Sequence, residues 1–321
     1  MAKWDFPSNN YGQINGIADS GVETFRGTPI RSLAREICQN SLDATLPNED
    51  PVKIVFQTFE IPMANVPGVA DLKDSFKRAY DFWGVQNNDN AKKFFSNAIS
   101  VSNQKTVVCL RISDFNTSGL TGAHEPYNSA WCNLIKSTGA SDKGGSSGGS
   151  FGIGKFAPFA CSAFRTVFYS TINKDGVAAN QGVSRLTSFK MENQEICQGV
   201  GFYGEERCTP MYSSFSLDPT FSRNMNDSGT DIFIVAFCYD DSWKDDLIIS
   251  VLDSFLLAVF QKKLVVEVNG SVIDASTLPH LIASYSSKFE ENADKYYAVL
   301  IASDKESKTF EEDILGKGTV K

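Results

Sequence analysis

Two hydrophobic periods, one of three to four residues and one of two, mark out the elements of this chain. Ile30, Leu33, Ala34 and Ile37 fall on one helical stripe. Thr28 is expected to cap that helix, with Pro29 at its first helical position and Pro47 bounding it beyond Asp43 or Ala44. Val52, Ile54 and Phe56 alternate as a strand, and so do Val108, Leu110 and Ile112, whose strand ends at Asp114. Between them, residues 60–105 carry Phe76, Tyr80, Phe94 and Phe95 and read as a mostly helical insertion. Residues 120–150 turn polar and finish in Gly144-Gly145-Ser146-Ser147-Gly148-Gly149, by composition a flexible linker. A small-residue helix is expected around 157–163. Strands are expected near Thr166–Ile172, 184–189 and 230–237, with a turn at Lys174-Asp175-Gly176. Leu247, Ile248, Val251, Leu252, Phe255, Val259 and Phe260 recur at helical spacing. Leu264–Val268 and Ser271–Ile273 read as a hairpin about Asn269-Gly270, and 296–302 as a last strand.

Composition narrows the function classes. The 321 residues are 42% hydrophobic and 21% charged, which excludes disordered, collagenous and coiled-coil chains. A net charge of −8 argues against an electrostatic grip on DNA or an anionic membrane by the chain as a whole. The seven cysteines are scattered and none has the two-residue spacing of a zinc or redox motif, so they read as reduced core thiols. Two histidines are too few for a His-rich metal site. The start has no signal-peptide core and no apolar run approaches the ~18 residues of a span, so a soluble, cytoplasmic protein is expected. The uncapped tail Gly318-Thr319-Val320-Lys321 suggests the N-terminal part of a longer chain.

Four segments carry candidate chemistry. Rotating the first helix 100° per residue puts Glu36, Asn40 and Asp43 within about 60° of one another, beside the apolar stripe. A carboxylate, a carboxamide and a second carboxylate so grouped suit a hydrated Mg²⁺ and leave one carboxylate to orient a water; a solvated helix face is the plainer alternative. In Asp114-Phe115-Asn116-Thr117-Ser118-Gly119, an acid at a strand end can sit in a pocket floor and accept a hydrogen bond from an exocyclic amine, or simply form an Asx-type turn. There Asn116 tolerates positive φ and Gly119 permits close backbone approach. Gly149-Ser150-Phe151-Gly152-Ile153-Gly154-Lys155 leads into a helix, where backbone N–H groups can converge on phosphate oxygens. A P-loop reading fails because Phe156 stands where the metal-binding hydroxyl belongs. A dinucleotide fingerprint fails because no strand precedes the glycines. The fourth segment, Ser228-Gly229-Thr230-Asp231, opens a strand and gains weight only from its place after the others.

In this order the four segments resemble the boxes of the GHKL ATPase superfamily over roughly residues 20–262, the 137–143 stretch being most like the MORC proteins. The resemblance implies an α+β Bergerat fold: a two-layer sandwich whose mixed, mostly antiparallel sheet is covered on one face by helices. The ATPase domain would span 1–275, with an insertion at 60–105 and an ATP lid at 120–150. A transducer-like region would start at 276–321. By position, Glu36 would orient the attacking water, Asn40 would bind Mg²⁺ with the ATP phosphates, and Asp43 would line the nucleotide pocket. Asp114 would bind the adenine amine, with Asn116 and Gly119 shaping the loop beside it, although Asn116 replaces the family's usual glycine and Gly119 falls one residue late. Gly149, Phe151, Gly152, Ile153 and Gly154 would wrap the phosphates, Lys155 would contact them, and Thr230 would help hold the adenine. The implied activity is slow Mg²⁺-dependent ATP hydrolysis gating homodimerisation. A bacterial defence or DNA-handling role follows by analogy, with nucleic acid reached through a partner protein or a C-terminal region. Alternatives are a non-hydrolysing nucleotide sensor, a histidine-kinase-type ATP domain and a P-loop enzyme built on Lys155.

Overall fold

The computed structural model describes residues 2–48, 50–125, 127–138 and 154–303. Its strands are β1 (Lys3–Asp5), β2 (Val52–Pro62), β3 (Thr106–Phe115), β4 (Thr166–Ile172), β5 (Ala178–Arg185), β6 (Val200–Gly204), β7 (Gly229–Ile234), β8 (Leu264–Val268) and β9 (Ser271–Ile273). Its helices are α1 (Ser20–Glu23), α2 (Pro29–Asp43), α3 (Val69–Val85), α4 (Asp89–Ser102), α5 (Ala130–Ile135), α6 (Ala157–Ala160), α7 (Trp243–Phe260), α8 (Leu278–Tyr285) and α9 (Ala293–Ile301). The fold is α+β. The strands form one mixed sheet in the order β1-β6-β5-β4-β7-β3-β2-β8-β9, and every pairing but β2 with β8 is antiparallel.

Side-chain alternation divides the core between the two faces of this sheet. Ile232, Ile234, Val167, Tyr169, Leu110 and Ile112 point toward α2 and α7, joining Leu33, Ile37, Leu247 and Val251. Their neighbours Phe233, Phe168 and Cys109 point the other way, onto Phe76 and Ala79 of α3 and Phe95 of α4. Helices on one face alone were expected. The structure corrects this: α3 and α4 cover the second face, so β4 and β7 are buried along their whole length. Both helices lie on the excursion that joins the paired strands β2 and β3, which meet at Pro62 opposite Thr106.

Local chemistry explains most boundaries. α2 starts at Pro29 and ends at Asp43 as its period requires, but the Thr28 hydroxyl makes no cap and lies 3.4 Å from Ser32 Oγ. Asn269 and Gly270 both take positive φ, the conformation a two-residue hairpin turn needs. Three expectations fail. The strand at 184–189 forms earlier, as β5, because its contact with β4 is made by Ala179, Asn180, Gln181 and Gly182 and shows no apolar alternation. The strand at 230–237 stops at Ile234, and Ala236 turns to a φ of 51°. The segment at 296–302 is helical, as part of α9: Tyr297 and Leu300, three apart, pack on the core while Tyr296 and Val299 face outward. α8 and α9 rest on α7, with Leu278, Ile282 and Ala293 in the cluster that α2 shares. No helix among the described residues is long and apolar enough to cross a membrane.

Candidate functional site

Asp114 stands at the end of β3 where three elements meet. Its Oδ1 accepts the Thr230 backbone N–H of β7 at 2.6 Å and the Thr117 hydroxyl at 2.9 Å. Its Oδ2 accepts the Ser41 hydroxyl of α2 at 2.9 Å. A carboxylate offers about four lone-pair positions, so three donors leave one, on the oxygen that faces α2. Burial pushes the carboxyl above its ordinary value of 3.8, against the lowering pull of the Thr230 N–H, the Arg223 charge and the two hydroxyls. Gly229 is glycine for a steric reason: a Cβ there would run into the Asp114 carbonyl and the Arg223 guanidinium.

Ser41 also explains how α2 presents its polar stripe. Leu33, Ala34, Ile37 and Cys38 bury one flank against the sheet and α7, and Ser41 continues that buried flank as far as Asp114. Glu36, half-buried, and Asn40 and Asp43, both exposed, lie on the adjoining flank. Gln39 Nε2 donates to Asp43 Oδ1 at 2.8 Å. The Glu36 carboxylate lies against Gly154, where any Cβ would collide with it. The first and third sequence segments therefore touch, at a glycine that admits no side chain.

Lys155, next to that contact, turns its ammonium away from Glu36. It donates to the Asn133 carbonyl at 2.7 Å and to the Ser137 carbonyl, at the C-terminal end of α5. Burial, then the Arg185 charge, lowers its pKa to about 8. Within the expected lid, residues 127–138 hold α5, whose Trp131, Cys132 and Ile135 are buried. That order is hidden in sequence by the polar residues around it. Gly149, Phe151, Gly152 and Ile153, with residues 139–150 of the lid, lie outside the described residues.

The remaining candidates serve the loop rather than an opening. Asn116, at φ 61°, exchanges side-chain hydrogen bonds with Asn48 at 2.7 and 2.9 Å and donates to the Asp50 carbonyl, tying the end of β3 to the chain leaving α2. Gly119, also at φ 61°, lets the loop pass so close to β4 that a Cβ would sit 2.8 Å from the Ile172 carbonyl. Leu120 N–H then donates to Thr171 Oγ1, which donates to the Gly229 carbonyl at 2.8 Å and so links this loop to the start of β7.

Sequence reasoning missed Ser41, Thr117, Thr171 and Arg223. Ser41 had a signal, a hydroxyl on the apolar flank of an amphipathic helix. Arg223 had none, since its loop carries no pattern. Among the described residues no cluster of three His, Cys, Asp or Glu could hold a metal. Chemically, the arrangement offers a half-buried acceptor for an amine at Asp114 and a second half-buried carboxylate, Glu36, beside Gly154. No family model matches the chain, and no curated protein does either.

Proposed function

We propose that the chain is a Mg²⁺-ATP-binding conformational switch of the Bergerat type that hydrolyses ATP slowly, its nine-stranded sheet being an elaboration of that fold. The observation that carries this reading is the Asp114 corner: a half-buried carboxylate with one acceptor position left, aimed at the helix that also bears Glu36 and Asn40. That position suits the exocyclic amine of adenine. Lys155, engaged with the Asn133 and Ser137 carbonyls, counts against the P-loop alternative, which needs that ammonium on phosphate, and equally against the phosphate contact the resemblance gave it. Asn40 alone is too small a ligand set for Mg²⁺, so the ion would come with the nucleotide and be held between Asn40 and phosphate oxygens. Bound there, Mg²⁺ would neutralise phosphate charge. Glu36 would accept a proton from water and orient it, Gly154 would keep the space beside it open, and residues 120–150 would close over the nucleotide. Closure would favour pairing of two copies, storing binding energy as a shift between open and closed populations.

The deciding experiment is calorimetric titration with a non-hydrolysable ATP analogue, alongside phosphate release. The wild type should bind, Asp114→Asn should not, and Glu36→Ala should bind with little turnover. A wild type that binds no adenine nucleotide overturns the reading. Equal phosphate release above background in wild type and Glu36→Ala removes the catalytic role of Glu36, and release at background in both leaves a nucleotide sensor rather than an ATPase.

A further inference from the structure

Arg223, on the loop between β6 and β7, is nearly buried, and its fork is fully engaged. Nε and Nη2 hold Asp231 bidentately at 2.8 and 2.7 Å, and Nη2 also reaches the backbone carbonyls of Asp114 at 2.7 Å and Thr230 at 3.2 Å. The guanidinium lies over the Phe115 ring, 4.6 Å from its centroid. These contacts fall where β3 and β7 stop pairing with each other, while Asp114 still pairs with Ile54 of β2 and Thr230 with Thr171 of β4. The ladder between β3 and β7 runs from Leu110 opposite Ile234 to Ser113 opposite Asp231, so Asp114 and Thr230 sit one step beyond its last pair. There the two backbones are held by the Thr230 N–H to Asp114 Oδ1 bond and by Arg223, which spans both carbonyls. Gly229 leaves room for the guanidinium.

We propose that Arg223 is the positioning residue for base selection: by clamping the Asp114 and Thr230 carbonyls together it aims the one open acceptor position of Asp114, so that the site takes 6-aminopurine nucleotides and refuses 6-oxopurine ones. This rests on the nucleotide-binding reading above. The chemistry is a matter of sign. An amine at the 6-position donates to the carboxylate, whereas an oxygen there meets it acceptor to acceptor, and the N1–H and 2-amino donors of guanine reach it only if the carboxylate or the base shifts. Rejection is only as sharp as the aim. If the Asp114–Thr230 step slackens, the carboxylate can swing aside and both bases are met through water.

The test measures the ratio of affinities for non-hydrolysable ATP and GTP analogues. Wild type is compared with Arg223→Lys, which keeps Asp231 paired but replaces the planar fork by one ammonium, and with Arg223→Gln/Asp231→Asn, which removes both buried charges. Both variants are expected to lower the adenine-to-guanine ratio by about tenfold, the size of one well-placed polar contact. A merely structural arginine would weaken both analogues equally or lower the melting temperature alone, and an unchanged ratio in Arg223→Lys overturns the inference. If the wild type binds neither analogue, the nucleotide reading itself fails. If it binds both equally, base selection fails while nucleotide binding stands.

Discussion

The two faces of the sheet are built on different principles. Under α3 and α4 the contacts are mainly apolar and aromatic: Phe76 meets Phe164 at 5.2 Å, Trp4 meets Phe168 at 5.8 Å and Phe168 meets Phe215 at 5.6 Å, with the buried ion pairs Arg111–Asp218 and Arg223–Asp231 beside them. Under α2 and α7 an equally apolar core is interrupted at one corner by the buried Ser41 and Thr230 and the half-buried Asp114, polar groups that a core does not require. Each buried polar group costs roughly 1–3 kcal/mol unless paired. Here the donors are supplied by three elements, and one acceptor position is still left over. The charged groups of the second face answer one another inside the protein, as the Arg223–Asp231 and Arg111–Asp218 pairs do, whereas the Asp114 carboxylate meets only neutral donors and keeps a position open.

The sharpest break of that comparison pairs Phe76→Ala with Asp114→Asn. Phe76→Ala should lose about 3–5 kcal/mol of stability in denaturant unfolding while the folded fraction binds nucleotide as before. Asp114→Asn should lose at least about 100-fold in nucleotide affinity with its melting temperature held or raised, because a half-buried charge is removed while the amide oxygen still accepts. If the two variants exchange these outcomes, the division of labour is wrong. Glu36→Ala should keep nucleotide affinity and lose roughly 10²–10⁴-fold in phosphate release. Gly154→Ala pushes a methyl into the Glu36 carboxylate; a loss of about 1–3 kcal/mol is expected in unfolding, with turnover reduced alongside. The smallest effect is a pH dependence. Because burial lifts Asp114 above 3.8, its proton favours folding; that contribution is complete below the unfolded value and is lost as pH rises through the folded one. Asp114→Asn should therefore gain stability relative to wild type as pH rises from about 3 to 7, and a difference that stays flat would show that the carboxyl is not desolvated.

The strongly periodic parts of the fold were legible. α2, α7, β4 and the β8–β9 hairpin follow from spacing and turn chemistry within each segment. What failed depended on distant partners. α9 carries a β-rich composition, yet Tyr297 and Leu300 find the core only as a helix lying along α7. β5 buries Asn180 and Gln181 because a distant loop supplies acceptors for their amide nitrogens, the Ser213 and Cys208 carbonyls. At the site, Glu36, Asp114 and Thr230 announced themselves by motif. Arg223 acts through two backbone carbonyls and one carboxylate that meet only after the sheet is made, so no local pattern could point to it.

The long excursion that leaves β2 at Pro62 and returns to β3 at Thr106 closes on a directly opposed pair, so its ends are already one strand spacing apart. By distance alone a tight turn could join them, but it would bare Phe168 and Phe233, which the helices of the excursion cover. The inward faces of those helices are therefore held by the core, and it is their outward faces, with whatever docks there, that can diverge while the opposite corner is kept.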